Sequence, residues 1–140
     1  MIAMCPNCGG LNNIPKERLN NKPNCGKCKS PVYSGQPINM SGTQLTRAIE
    51  KTNELLVIDF WATWCGPCKI FALAFKQVAE QLEPKARFIK IETEKEQVIS
   101  TKHNIRSIPT LAIFRNGKEI DRISGALSAP DFTNWVNQHI

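Results

Sequence analysis

The chain has 140 residues, which is room for one ordinary domain and a small additional module. It is 41% apolar and 21% charged, as globular proteins are, and no stretch approaches the roughly 18 apolar residues of a membrane span. Its net charge of +6 lies mostly in residues 1–40, which hold five Lys or Arg and one acid. We interpret these Lys side chains as solvated surface, so we expect neither nucleic acid nor a membrane as a partner.

The N-terminal residues MIAMCPNCGG contain no basic segment followed by an apolar core, so they do not resemble a signal peptide. This pattern predicts a cytoplasmic protein, in which thiols are kept reduced. Six cysteines in such a chain favour metal binding or redox chemistry over a framework of structural disulfides.

Residues 1–38 are predicted to form a small module that needs a metal or a covalent link to fold. The segment is rich in Asn, Pro, Gly, Lys and Cys and has few large apolar side chains. So small a segment does not bury a sufficient core unaided. We place the boundary within SGQPINMSG, residues 34–42, and assign residues 39–140 to a second domain.

The module contains four cysteines, Cys5, Cys8, Cys25 and Cys28, with the spacing C-x2-C-x16-C-x2-C. This spacing lies in the range of four-cysteine zinc sites, in which two tight turns aim four sulfurs at one ion. A closed set of four ligands predicts a structural Zn²⁺, and its thiolates would halve the positive charge of the module. Two disulfides, free thiols, and iron in place of zinc remain alternatives.

The residues that follow predict an α/β domain with the element order αβαβαββα. Ser41 and Gln44 form a capping-box pattern that begins a helix ending near Lys51. Strands that alternate with helices are expected to be parallel, and a final hairpin antiparallel, so the sheet is mixed. The later elements are a strand at 55–60, a helix after CGPC, a strand at 87–92, a helix at 96–103, strands at 110–115 and 118–123, and a C-terminal helix from about 128.

The remaining cysteines, Cys65 and Cys68, lie between the buried strand and the apolar helix, in DFWATWCGPCKIF. Cys65 therefore lies at or next to a helix N-terminus, where the dipole and free N–H groups favour a thiolate, the nucleophile of disulfide exchange. Pro67 removes an N–H donor that a metal-binding turn would use, and no further ligands lie at a plausible spacing. We interpret this pair as a redox dithiol.

Two motifs in this domain resemble signatures of the thioredoxin family. VIDFWATWCGPCK is similar to the active-site signature, and NIRSIPTLAIFRNGKEIDRISGAL to the second signature and C-terminal hairpin. The resemblance covers residues 42–140, and the cysteine-rich segment before them resembles the N-terminal zinc domain of a second bacterial type of thioredoxin. It implies a thioredoxin fold, with a central mixed sheet flanked by helices, preceded by a small zinc-ribbon-like module.

The resemblance also implies roles for residues around the dithiol. Cys65 is expected to attack the substrate disulfide, and Cys68 to resolve the mixed disulfide that forms. Asp59 corresponds to a buried acid with a raised pKa that exchanges protons with Cys68. Lys90 corresponds to a lysine near that acid, although a solvent-facing strand lysine is an equally good interpretation.

The same resemblance implies a docking rim for protein substrates. Pro109 is expected to follow a cis peptide bond and to present backbone to the substrate. Leu73 stands where the helix of this family usually has a kinking proline, so we expect a straighter helix and a redox potential altered in an unspecified direction. The apolar rim is expected to consist of Trp64, Gly66, Pro67, Ile108 and Gly125, with Trp61 as a packing residue.

Together these features predict a thiol–disulfide oxidoreductase that reduces disulfides of protein substrates and is recycled by an NADPH-dependent thioredoxin reductase. Besides structural Zn²⁺ and the Cys65–Cys68 disulfide, no organic cofactor is expected, and the protein is expected to be a monomer. An alternative is a redox-responsive chaperone, in which oxidation of the zinc cysteines releases the metal and exposes apolar surface. An oxidase or isomerase is a third hypothesis, although Gly66-Pro67 resembles the reducing members of the family.

Overall fold

The computed structural model describes residues 1–140 and contains a small two-stranded sheet and a five-stranded sheet. No helix is both long and apolar enough to cross a membrane. The small sheet comprises β1 (Ile2–Met4) and β2 (Leu11–Asn13), and a 3-10 turn follows at Lys16–Arg18. The remaining elements are β3 (Ile38–Asn39), α1 (Gly42–Lys51), β4 (Leu56–Trp61), α2 (Gly66–Leu82), β5 (Arg87–Glu92), α3 (Gln97–Lys102), β6 (Thr110–Arg115), β7 (Lys118–Ser124) and α4 (Ala129–Asn137).

The large sheet has the strand order β3-β5-β4-β6-β7 and is mixed, as the sequence predicted. β5 is parallel to both β3 and β4, whereas β6 is antiparallel to β4 and to β7. The hairpin between β6 and β7 turns at Asn116 and Gly117, which both have positive φ, as a type I′ turn requires. The order of elements from residue 42 is αβαβαββα, so this prediction is confirmed.

Helices cover both faces of the large sheet because side chains alternate along its strands. On one face, apolar residues of α2 and α4 pack on residues such as Leu55, Val57 and Phe88. On the other face, α1 and α3 pack on residues such as Ile58 and Ile89. β4 lies at the centre and is buried on both faces, which explains its continuous apolar sequence.

The N-terminal module is built from two tight turns that share one hydrogen-bond pattern. In the first, the Cys5 N–H donates to Gly10 O and the Gly9 N–H donates to Cys5 O, at 2.8 and 2.9 Å. In the second, the Cys25 N–H donates to Ser30 O and the Lys29 N–H to Cys25 O, at the same two distances. Only five residues of the module form its own buried cluster: Ala3, Cys5, Ile14, Cys25 and Val32.

The module is attached to the large sheet by a buried arginine at the start of β5. The Arg87 guanidinium donates to the Glu54 carboxylate at 3.2 Å and to the backbone oxygens of Val32 and Met4 at 2.8 and 2.9 Å. The same guanidinium lies 4.4 Å above the Tyr33 ring. Every strong donor direction of this cation is therefore used, as a buried charge requires.

Two parts of this architecture were not predicted from the sequence. The segments around Cys5 and Leu11 form a β-hairpin, and Ile38 and Asn39 form an edge strand beside β5. The domain boundary that we placed between residues 38 and 39 falls within β3, and it stays a prediction. β3 is too short and irregular in its sequence to show the alternation that identifies a strand.

Candidate active site and metal centre

The dithiol lies at the N-terminus of α2. Cys65 is the N-cap residue of this helix, and its Sγ accepts the Cys68 N–H at 3.2 Å. The two cysteines are joined by a disulfide in this structure, and both are buried, whereas Gly66 and Pro67 between them are exposed. A thiolate at Cys65 would therefore be stabilised by the positive end of the helix dipole and by an N–H donor.

A cis proline faces the dithiol. The Ile108–Pro109 bond is cis, as the resemblance implied, and Ile108 O lies 3.8 Å from Cys65 Sγ. The Gly125 N–H donates to Pro109 O at 2.8 Å, which connects the loop after β7 to this peptide. Gly125 has a φ of +107°, a conformation that favours glycine.

The predicted rim residues surround the exposed edge of the disulfide. Trp64 is 66% exposed, and its indole N–H donates to the carboxylate of Glu94, a residue that sequence reasoning did not single out. Ile108 packs against the cysteines in a small cluster with Ala62, and its side chain is partly exposed. The structure therefore brings the predicted rim residues together at one end of the sheet.

Asp59 is fully buried on β4, and neither of its carboxylate oxygens has a hydrogen-bond partner. It continues the alternation of Leu55 and Val57, so its side chain points to the face that α2 covers. Burial raises the pKa of Asp59 to about 7, and the positive charge of Lys90 opposes this rise. An acid with this pKa exchanges protons readily near neutral pH.

Lys90 is directly opposite Asp59 on the neighbouring strand β5. Its ammonium group lies 4.7 Å from the centre of the Trp61 ring, a cation–π distance. Its side chain is therefore held between the sheet and an aromatic ring, and it is only partly exposed. The arrangement favours a lysine near the buried acid over a freely solvated strand lysine.

The ionisation of Asp59 provides a pH-dependent prediction about stability. The folded protein binds a proton more tightly than the unfolded chain, because the pKa of this carboxyl rises from its ordinary value of 3.8 to about 7 on folding. The destabilising effect of the buried charge is therefore absent below pH 4 and complete above pH 7. We expect Asp59→Asn to raise the free energy of unfolding at pH 8 by about 4 kcal/mol, as the pKa difference implies, and to change it little at pH 4.

Urea denaturation of the oxidised protein at both pH values measures this effect. Glu50→Gln is the matched control, because Glu50 is exposed on α1 and its replacement removes a carboxylate without removing a buried charge. An equal effect of Asp59→Asn at pH 4 and pH 8 would show that the ionised carboxylate is not the cause.

The four cysteines of the module converge at one point. Their Sγ atoms all lie within 4.8 Å of one another, and the closest pairs, Cys5 with Cys28 and Cys8 with Cys25, are 3.6 Å apart. A sulfur pair in a disulfide is about 2.05 Å apart, so these cysteines are not bonded to each other. Sulfurs bound tetrahedrally to one Zn²⁺ at about 2.3 Å would be about 3.8 Å apart, which fits the observed spacing.

Amide groups around this cluster favour thiolates. The backbone N–H of Ser30 lowers the pKa of Cys28 to about 6, and the side chains of Ser30 and Asn7 add to this effect. The Asn12 side-chain amide and the Lys27 N–H donate to Cys25 Sγ at 3.5 and 3.4 Å. Such N–H donors orient metal-bound thiolates, so the residues present fit a four-coordinate zinc ion.

Comparisons with known families match both parts of the chain. A family model described as "Thioredoxin" matches residues 36–138, and one described as "Thioredoxin 2, N-terminal", a zinc ribbon, matches residues 4–30. Among curated proteins, Thioredoxin C-3 of Corynebacterium nephridii is 40% identical over 140 residues, which is 100% of this chain and 96% of that protein. Thioredoxin of Porphyra purpurea is 37% identical over 106 residues, covering 72% of this chain and 99% of that protein.

Solved structures match the larger part of the chain. The thioredoxin of Malassezia sympodialis has a TM-score of 0.70 and 31% identity, covering 76% of this chain and 93% of its own. Chloroplastic thioredoxin z has a TM-score of 0.67 and 32% identity, covering 74% and 93% of the two chains. The comparisons confirm the fold that the sequence predicted for the segment after the module.

Proposed function

The chain belongs to the thioredoxin family, whose members are thiol–disulfide oxidoreductases of the disulfide-reducing type, and we propose that its Cys65–Cys68 dithiol reduces disulfides in protein substrates. The observation that carries this proposal is the position of Cys65 as the N-cap of α2, with its Sγ accepting the Cys68 N–H. That position favours the thiolate of one cysteine and holds the second within bonding distance behind it.

In the proposed reaction, the Cys65 thiolate attacks one sulfur of the substrate disulfide. The substrate S–S bond breaks, a mixed disulfide with Cys65 forms, and the first substrate sulfur leaves as a thiolate and takes a proton from water. Cys68 then loses its proton and attacks Cys65 Sγ, which forms the Cys65–Cys68 disulfide and releases the second substrate sulfur. The substrate gains two electrons and two protons, and the protein loses two electrons.

We propose that Asp59 accepts the proton that Cys68 releases in the second step. Its pKa of about 7 and its position on the face beneath α2 support this role. Lys90, opposite Asp59 and held over Trp61, would stabilise the charged carboxylate while it is deprotonated. Pro109 and Ile108 would present backbone to the substrate beside Cys65, and Trp64, Gly66, Pro67 and Gly125 would complete the rim.

The finer assignments of location, partners and assembly are part of the same proposal. The oxidised protein needs a reductant, and we propose an NADPH-dependent thioredoxin reductase in the cytoplasm. We propose a monomer, because the reaction needs one dithiol and one buried acid, and all of these belong to one chain. The redox-responsive chaperone and the oxidase or isomerase stay alternatives from the sequence.

The zinc site is proposed to be structural. Cys5, Cys8, Cys25 and Cys28 would hold Zn²⁺ as a closed four-thiolate set, which leaves no position for a substrate. The ion would connect the two tight turns and supply stability that a cluster of five buried residues does not supply alone.

A coupled assay tests the proposed reaction. Wild-type protein is mixed with NADPH, thioredoxin reductase and insulin, and NADPH oxidation is followed by absorbance. We expect one NADPH to be consumed for each insulin disulfide reduced. The control is protein that has been reduced and alkylated with iodoacetamide, which should be inactive. If the wild-type protein consumes no more NADPH than this control, the proposed function is wrong.

A further inference from the structure

The outer face of α2 carries two large apolar side chains that are not buried. Ile70 and Leu73 are each 76% exposed, whereas Phe71, Phe75 and Val78 on the opposite face are buried in the core. An amphipathic helix is expected to have polar residues on its outer face. Single exposed apolar residues need no explanation, but adjacent ones beside a reactive site indicate a contact surface.

These side chains continue the surface of the dithiol. Pro67, Ile70 and Leu73 are each three residues apart, so neighbouring members of the series contact each other along the helix. With a rise of about 1.5 Å per residue, they form a ridge about 9 Å long that begins between the two cysteines. We call Pro67, Ile70 and Leu73 the α2 ridge. Trp64 provides a further exposed apolar surface at its cysteine end.

The charges beside the α2 ridge are positive. Lys69 and Lys76 are exposed on either side of Leu73, at spacings that place neighbours together on a helix, and neither forms an ion pair. The first carboxylate on α2 is Glu80, more than one turn beyond Lys76. A partner that lies along this helix would therefore gain from carboxylates and lose from cations.

We propose, as an extension of the reductase function above, that the α2 ridge is a docking surface for the protein substrates themselves. The preferred substrate has a large apolar side chain close to its disulfide and carboxylates on the same side. The apolar side chain lies on Ile70 and Leu73 while Cys65 attacks the adjacent sulfur, and the carboxylates lie near Lys69 and Lys76. The continuity of the ridge with the dithiol favours the substrate as its occupant.

Two disulfide peptides test this specificity in the full-length protein. Each contains one intramolecular disulfide; the first has Leu beside it and Asp further along, and the second has Ser and Lys at those positions. The variant I70Q/L73Q removes the ridge side chains from an exposed helix surface. The matched control is Val98→Gln, because Val98 is 87% exposed on α3. Bis(2-hydroxyethyl) disulfide, which is too small to reach the ridge, reports on the dithiol alone.

We expect the wild-type protein and Val98→Gln to favour the first peptide over the second by roughly tenfold in kcat/KM, because one apolar side chain is partly buried. I70Q/L73Q should lose most of this preference and should reduce bis(2-hydroxyethyl) disulfide at the wild-type rate. An unchanged preference in I70Q/L73Q, or an equal loss in Val98→Gln, overturns the proposal while the reductase function stands.

Two other results also decide the question. If the wild-type protein reduces neither peptide nor bis(2-hydroxyethyl) disulfide, the proposed function itself fails, and the docking surface fails with it. If sedimentation shows a wild-type dimer that I70Q/L73Q converts to a monomer, the ridge is an interface between two copies of this chain, and the proposal is wrong.

Discussion

Cys65→Ser is expected to lower the rate of protein-disulfide reduction by at least about 10³-fold, because the variant has no thiolate at the position that attacks the substrate. The substitution is favourable as a test because Cys65 is the N-cap residue of α2. Serine is a preferred N-cap residue, so its hydroxyl replaces Sγ as acceptor of the Cys68 N–H and the helix keeps its start. The coupled assay should show the loss while the circular dichroism spectrum stays unchanged.

Cys68→Ser separates the two steps of the reaction. This variant keeps the attacking thiolate but lacks the sulfur that resolves the mixed disulfide, so it should accumulate a covalent adduct with the substrate. Intact-protein mass spectrometry detects the adduct as a mass increase that a reductant reverses. The control is the variant in which both cysteines are replaced, which should form none. An adduct on Cys68 in the Cys65→Ser variant, with turnover preserved, would reverse the assigned roles.

Cys25→Ser is expected to unfold the N-terminal module. Cys25 is fully buried, and its replacement removes one of four converging sulfurs. Structural zinc supplies an apparent binding free energy of about 10–16 kcal/mol in zinc-finger peptides, far more than a cluster of five small or medium residues supplies. We expect the variant to bind less zinc and to lose hydrogen-exchange protection at the Gly9, Cys25 and Lys29 amides.

Zinc content by elemental mass spectrometry and amide exchange by NMR measure these two effects. The matched control is Cys65→Ser, which also removes one thiol but lies outside the cluster, and it should keep one zinc per chain. If Cys25→Ser keeps one zinc per chain and full protection of the three amides, the module does not depend on a four-cysteine site.

The sequence predicted those features that depend on local pattern. The apolar run from Leu55 to Phe60 identified the central strand, and Asn116-Gly117 identified the hairpin, because each signal lies within a few consecutive residues. The capping box of Ser41 and Gln44 is present with both of its hydrogen bonds, at 3.1 and 2.9 Å. The cysteine spacing likewise identified the cluster that the structure brings together.

The features that the sequence did not reveal depend on contacts between distant residues. Arg87 looks like an ordinary charged residue at a strand start, and only the fold places it against Glu54 and the carbonyl of Met4. The exposure of Leu73 is a similar case, because an apolar residue in an amphipathic helix is expected to face the core. Glu94 was not singled out because its contact with Trp64 crosses 30 residues.

The attachment of the module by Arg87 has a consequence for how the chain can be divided. Two family models match it end to end, as though a ribbon and an oxidoreductase had been joined by a linker. Yet a cut between residues 38 and 39 would leave Arg87 inside the larger fragment without the carbonyls of Val32 and Met4, two of its three hydrogen-bond acceptors. A buried cation stripped of acceptors destabilises the fragment that retains it. The larger part of this protein is therefore not an autonomous thioredoxin carrying an accessory: its central sheet is completed by a charge that only the smaller part neutralises in full, and transplanting either part into a relative requires moving the arginine and its acceptors together.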